Sequence, residues 1–178
     1  DDRAPVYALL PTGEKANRLF VVGTVTEIND VSKENEYLQA RIVGPTGTFF
    51  AYAGQYQPEA ATFLRQAETP KYVALVGKPR TYETDDGDII TSLRPESLTE
   101  VDKDTRTRWV KETAKRTIER IKDDDPSNHY NQLVDEEYDD VDPTEYQQQV
   151  IEALQTVQDG GGEQDEHKQN DQSTPNPE

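Results

Sequence analysis

The chain of 178 residues contains no cysteine, no methionine, only two histidines and a single tryptophan. Without cysteine it has no disulfide, no cysteine-ligated zinc and no thiol nucleophile. The histidines, His129 and His167, lie in polar segments, so we interpret them as solvent-exposed side chains and not as ligands. Because the sequence begins at Asp1 and lacks methionine, we expect a fragment or a trimmed chain.

Long apolar runs and catalytic patterns are also missing. No run approaches the ~20 apolar residues of a membrane span, and nothing resembles a signal peptide, so we expect a cytoplasmic protein with no membrane partner. The acid pairs Asp85/Asp86 and Asp139/Asp140 are adjacent residues in solvated runs, where no burial would raise a pKa. No hydrolase, metalloprotease or phosphate-loop motif occurs. We therefore predict no enzyme, no cofactor and no metal site.

The net charge of −17 is unevenly distributed. Residues 1–100 carry −5, residues 101–122 carry +4, and residues 123–178 carry −16. Two interpretations of this acidity stay open: a halophilic protein kept soluble in concentrated salt, or an acidic, disordered interaction tail. In both cases the part that folds is only mildly negative.

The first hundred residues predict five strands and one helix. Alternation and β-branched residues predict strands at 18–29, 37–43, 48–53, 72–78 and 89–94. Gly23 would let the long first strand bend, and Pro58 with the following acid predicts a helix over 59–67. The order β-β-β-α-β-β matches an all-β, five-stranded Greek-key barrel, the OB-fold.

Two helices are predicted after the barrel. The first, over 104–122, is capped by Asp104 or Thr105 and is basic on most of its surface. This helix has three candidate roles: capping the barrel, packing with partner subunits, or contacting phosphates. We favour packing with partner subunits, through the apolar side chains Trp109, Val110, Ala114, Ile118 and Ile121. The second helix spans 143–158. We therefore divide the chain into an arm (1–17), the OB-fold domain (18–101), the basic helix (102–122), an acidic linker with a short helix (123–158) and a disordered polar tail (159–178).

The predicted strand at 48–53 carries aromatics on both faces. One face carries Phe49, Ala51 and Ala53, and the other carries Phe50 and Tyr52. A strand face that only contacts water would not be expected to carry two aromatic side chains. If the turn at 44–47 closes a hairpin, these two share a surface with residues 37 and 41. Base stacking on such aromatics is worth ~1–3 kcal/mol per base. Alternatively, Phe50 and Tyr52 pack under the N-terminal arm or against the basic helix.

Residues 18–98 resemble a known family through RLFVVGTVTEI, RIVGPTGTFFAYAGQYQPEA, YVALVGK and TSLRPESL. These segments look like the OB-fold of archaeal single-stranded-DNA-binding proteins, in particular haloarchaeal replication protein A-associated proteins, which are similar to the middle subunit of replication protein A. The resemblance implies a role in replication and repair, with single-stranded DNA and other replication protein A-type subunits as partners. It assigns the stacking positions to the strand of Phe50 and Tyr52.

Two functional hypotheses follow. The first is a single-stranded-DNA-binding subunit, whose candidate nucleic-acid-binding residues are Tyr37, Arg41, Phe50, Tyr52, Tyr82 and Arg94. The second is an interaction module that assembles a DNA-binding complex without gripping the strand itself. Basic residues are sparse in the barrel segment, so a protein of this kind would depend more on stacking than on charge, and its affinity would fall only slowly with salt.

Overall fold

A computed structural model describes residues 7–83, 85–87, 89–122, 133, 134, 136, 138 and 142–162. It begins with a short hairpin in which β1 (Ala8–Leu9) pairs antiparallel with β2 (Lys15–Ala16). Gly13 closes the turn with a φ of 81°, a conformation that glycine adopts readily. We expected an irregular arm here, which is wrong for these residues because two-residue strands are too short to produce an alternating pattern.

Five strands form the closed barrel that the sequence predicts. They are β3 (Leu19–Asp30), β4 (Leu38–Val43), β5 (Thr48–Ala53), β6 (Lys71–Glu83) and β7 (Ile89–Glu100). Their order around the barrel is β3-β4-β5-β7-β6, and β6 closes onto β3. The pair β5/β7 is parallel and all other pairs are antiparallel. This arrangement is consistent with an OB-fold.

The long strand β3 belongs to both sides of the barrel, as predicted. Residues 19–25 pair with β6, and residues 24–30 pair with β4. The register shift falls between Val25 and Glu27, beyond the glycine at which we expected the bend. Gly23 instead allows close approach, because a Cβ there would lie 2.7 Å from Ile42 Cγ2 and 3.0 Å from the Val43 carbonyl oxygen.

Strands β6 and β7 are longer than predicted. The predicted strands end at Lys78 and Arg94, each of which is followed by a proline, a residue that usually interrupts a strand. In the structure both continue as one hairpin, whose turn contains Gly87 with a φ of 89°. The pairing of the two strands shifts register between Val76 and Gly77, at the point where Gly77 lies opposite Pro95. Of the predicted loop at 81–88, residues 81–83 are therefore strand, and residues 85–87 form the turn.

The core fills the barrel and its open end. Its buried side chains come from every strand and include Val25, Ile42, Ala51, Leu75 and Leu93. Helix α1 (Pro58–Gln66) lies between β5 and β6 along the chain and adds Ala60, Ala61 and Leu64 to this core. The predicted helix at 59–67 is thus confirmed within one residue at each end.

Two helices follow the barrel. Helix α2 (Lys103–Lys122) packs against β3 and against α3 (Pro143–Gly162). The cap of α2 is Asp102 and not the predicted Asp104 or Thr105, since its Oδ1 accepts a hydrogen bond from the Thr105 N–H at 2.7 Å. Helix α3 extends beyond its predicted end at residue 158. Between α2 and α3 lies a small cavity, which is also lined by Pro45 of the β4–β5 turn.

Candidate nucleic-acid interface

One row of side chains crosses the outside of the barrel over four strands. In the strand registers, Arg41 lies opposite Phe50, and Phe50 lies opposite Ser92. Ser92 in turn lies opposite Arg80. Successive residues of a strand point to opposite faces, and Ala51, next to Phe50, is fully buried. The row therefore faces outward and places an aromatic ring between two arginines.

A second row runs parallel to the first, two residues further along each strand. It contains the opposed pair Gln39 and Tyr52 and the opposed pair Arg94 and Lys78. The Gln39 amide donates a hydrogen bond to the Tyr52 hydroxyl at 2.6 Å. We define the aromatic face as these two rows together with Tyr37: Tyr37, Gln39, Arg41, Phe50, Tyr52, Lys78, Arg80, Ser92 and Arg94.

Tyr37 extends the face by stacking on Tyr52. The two ring centroids are 5.6 Å apart and the planes are inclined by 22°, within the range that aromatic pairs prefer. Beneath the stack, Gly54 has no side chain, and a Cβ there would lie 2.8 Å from Tyr37 Cδ2. The ring occupies the space that this glycine leaves. Tyr37 remains 42% exposed, so part of its ring is available to a ligand.

The loop that carries Tyr37 is fixed at both ends. The Tyr37 N–H donates to Asp30 Oδ1 at 3.1 Å, and the Tyr37 carbonyl accepts from the Val31 N–H at 3.0 Å. The preceding Glu36 forms a two-pronged ion pair with Arg65 of α1. The Arg65 hydrogen bond holds the pKa of Glu36 below its ordinary value. The ring position is therefore set before any ligand arrives.

The cations of the aromatic face differ in their partners. Arg41 donates to Thr26 Oγ1 at 3.1 Å, which orients the guanidinium without neutralising it. Lys78 lies 3.9 Å from a carboxylate oxygen of Glu96. In the part of the chain that the structure describes, Arg80 and Arg94 form no ion pair. Positive charge on this face is thus available to an anion.

Sequence reasoning identified some of these positions and missed others. Tyr37, Arg41, Phe50, Tyr52 and Arg94 come together on the face as a group. Arg80 was missed because it lies beyond Lys78, the last residue of the predicted fourth strand. Lys78 was missed because its pairing with Arg94 is not visible in the sequence. Tyr82 pairs with Ile90 through the backbone, but its side chain lies outside the described residues.

The basic helix α2 differs from the aromatic face in that several of its cations form ion pairs. Three of its cations pair with acids: Arg116 with Glu112 at 2.9 Å, Lys115 with Glu119 at 4.0 Å, and Arg120 with Glu14 at 2.7 Å. Its cationic surface is therefore partly neutralised within the chain. Among the described residues, its other cations Arg106, Arg108, Lys111 and Lys122 form no ion pair, so phosphate contact by α2 stays a hypothesis beside contact by the barrel.

The apolar stripe of α2, predicted to bind a partner, meets residues of its own chain. Val110 and Ala114 are 2% and 5% exposed. The side chains that line the spaces between α2 and α3 include Trp109, Ile118, Ile121 and Val150. This is the intramolecular packing that the sequence left open. Partner binding by the stripe stays a prediction, and it would require α3 to move aside.

The residues that the structure describes contain no group of three or more histidine, cysteine or acidic side chains placed to hold a metal ion. None of the described helices is long and apolar enough to cross a membrane.

Comparison with known proteins gives similarity only among solved structures. No family model and no curated protein sequence matches the chain. An OBody bound to hen egg-white lysozyme is similar with a TM-score of 0.42 and 11% identity, over 49% of this chain and 97% of the other. The mitochondrial single-stranded DNA binding protein Rim1 of S. cerevisiae gives 0.40 and 21%, over 48% and 94%. A small single-stranded DNA-binding protein from Streptomyces coelicolor gives 0.34 and 17%, over 47% and 93%.

Proposed function

We propose that the aromatic face binds single-stranded DNA, with bases stacked on its rings and phosphates held by its cations. The observation that carries this proposal is the outward row in which Phe50 lies between Arg41 and Ser92, with Arg80 beyond. A single strand presents both bases and phosphates, and this surface presents both aromatic rings and cations on one side of the barrel. Neither kind of contact depends on base identity, so binding is sequence-tolerant.

The charge distribution is compatible with this function despite the net charge of −17. Most of that charge belongs to residues 123–178, which carry −16. The face has four cations on a single surface: Arg41, Lys78, Arg80 and Arg94. Each phosphate neutralised on a single strand contributes roughly −0.7 to the log-log slope of affinity against salt. Four contacts would give a slope of about −3, steeper than we expected from the sequence, where only two of these cations were recognised.

A finer proposal is that the chain acts as a subunit of a replication protein A-like complex in replication and repair. The resemblance of residues 18–98 to replication protein A-associated proteins supports it. The second hypothesis, an interaction module that does not grip the strand, predicts that partner association survives without any strand contact. Strand binding and partner association therefore have to be measured separately.

The test replaces Phe50 and Tyr52 by alanine and measures binding of a fluorescein-labelled oligothymidylate by anisotropy. Each lost stacking contact weakens binding by ~1–3 kcal/mol, or about 5- to 150-fold. Tyr52→Phe keeps the ring and is expected to retain most of the affinity.

Phe20→Ala is the matched control, because Phe20 is also an exposed aromatic, at 57%, but lies on β3 opposite Val76 and outside the face. Unchanged strand binding by the Phe50 and Tyr52 variants would contradict the proposal. If partner association were lost instead, the interaction-module hypothesis would gain support.

A further inference from the structure

A cavity of about 480 Å³ opens beside the aromatic face, where β5 leads into α1. Its walls include Tyr56, residues 57–60 at the start of α1, Lys78 of β6, and Arg94 and Glu96 of β7. Lys78 and Arg94 also belong to the aromatic face, so the cavity and the face share one wall. Its volume falls within the ~300–1,000 Å³ typical of small-ligand sites.

The two cations of this cavity face each other across the sheet. Lys78 and Arg94 lie directly opposite each other on β6 and β7, and like charges in that relation destabilise a sheet. The nearby carboxylate of Glu96 is already bound by Arg18 in two hydrogen bonds of 2.5 and 3.1 Å. It lies 3.9 Å from Lys78. An anion between the two cations would remove their repulsion.

Tyr56 adds an aromatic surface at the mouth of the same cavity. It is 75% exposed, so its ring contributes little to the core. Two hydrogen bonds between Gly54 and Gln57 hold the turn that carries it. The Gly54 N–H donates to the Gln57 side-chain oxygen at 3.2 Å, and the backbone N–H of Gln57 donates to the Gly54 carbonyl at 2.9 Å. A defined turn thus holds a ring in water beside two cations. Glu59, exposed in the first turn of α1, is the other acid of the lining.

We propose that this cavity is an additional nucleotide subsite, which takes one phosphate between Lys78 and Arg94 and stacks one base on Tyr56. The inference rests on the proposed function, because it continues the path of the same strand beyond the aromatic face. Arg94 connects the two regions, since it belongs to the second row and lines the cavity. A short oligonucleotide fills the face alone, and a longer one reaches the cavity.

The test is a length series of fluorescein-labelled oligothymidylates, measured by anisotropy on the full chain and on Tyr56→Ala. Short oligomers are expected to bind both proteins equally, whereas long oligomers lose about 5- to 150-fold in affinity on Tyr56→Ala. Tyr56→Phe keeps the ring and is expected to restore wild-type binding. Tyr7→Ala removes another exposed tyrosine, in the N-terminal segment, and is expected to bind like wild type.

Lys78→Ala tests the wall that the cavity shares with the aromatic face, with the same long oligomer over a range of salt concentrations. Loss of one phosphate contact is expected to reduce the log-log salt slope by about 0.7, a change that a merely structural role would not produce. Lys111→Ala, on the exposed surface of α2, is the control and is expected to leave the slope unchanged. Circular dichroism verifies that each variant is folded.

The outcomes separate this inference from the proposed function. If wild type binds and Phe50→Ala weakens binding at every length, but Tyr56→Ala has no effect at any length, the subsite is refuted and the proposed function stands. Equal losses on short and long oligomers with Tyr56→Ala would also overturn a separate subsite. If wild type binds no oligomer, both fail together.

Discussion

Gly54→Ala tests whether the Tyr37/Tyr52 stack takes part in binding, because it changes the stack without removing either ring. The added Cβ would lie 2.8 Å from Tyr37 Cδ2, whereas ordinary contacts begin at 3.4 Å. To reach an ordinary contact the Tyr37 ring would have to retreat by about 0.6 Å, the difference between 2.8 and 3.4 Å. The backbone of Gly54 is outside the left-handed region, so alanine introduces no backbone strain at this position.

Two effects on stability nearly cancel in this variant. Weakening an aromatic pair forfeits up to ~0.5–1.5 kcal/mol. Replacing glycine by alanine where the backbone allows it stabilises by ~0.4–1 kcal/mol, because the unfolded chain loses conformational freedom. We therefore expect the free energy of unfolding to change by less than ~1 kcal/mol. Urea unfolding monitored by the fluorescence of Trp109, the only tryptophan, measures this quantity.

Binding is expected to respond more clearly than stability. A displaced ring gives up part of one stacking contact, so the loss belongs at the lower end of the ~1–3 kcal/mol range, or about fivefold in Kd. Gly47→Ala is the matched control, since a Cβ at Gly47 would meet nothing within 4 Å, and it is expected to bind like wild type. In a Tyr37→Ala background, Gly54→Ala is expected to have no further effect. An equal loss in that background would refute the mechanism, as would unchanged affinity in the wild-type background.

Two further predictions concern the supports of the site. Glu36→Gln removes the ion pair with Arg65. The folded-state pKa of Glu36 is lowered from 4.5, so the ion pair stabilises wild type fully above pH 4.5 and progressively less as the pH falls through the lowered pKa. The melting temperatures of wild type and Glu36→Gln are therefore expected to differ above pH 4.5 and to converge in acid. A difference that stays constant over this pH range would contradict the prediction. Asp102→Ala removes the observed α2 cap and is expected to lower the melting temperature by a few degrees, whereas Asp104→Ala, one of the caps predicted from sequence, is expected to change it little.

The fold was predictable because its signals are local. The strand at 48–53 alternates with period two, so the separation of Ala51 and Ala53 from Phe50 and Tyr52 follows from sequence alone, and the structure buries both alanines completely. The turn at 44–47 sets the register with β4, which brings Arg41 next to Phe50. Both facts depend on residues close together in the chain.

The rest of the site depends on pairings that local signals do not contain. Arg80 reaches the face through two steps of register, from β5 to β7 and from β7 to β6. The predicted fourth strand ends before Pro79. In the structure β6 continues past this proline, paired with β7 after a register shift at Gly77. The contact between Gly54 and Tyr37 is also invisible to sequence patterns, because it depends on where one ring packs.

Net charge is a poor guide to where this chain meets an anion. Judged by sequence, α2 is the basic element, yet its Arg116 and Arg120 are engaged by Glu112 and Glu14. The barrel segment has the opposite overall sign, but its outward positions gather cations and aromatic residues on neighbouring strands. Affinity for a polyanion depends on which charges remain unneutralised and share a surface. Under the proposed function a single strand contacts the barrel first, because there the cations share one surface with aromatic rings.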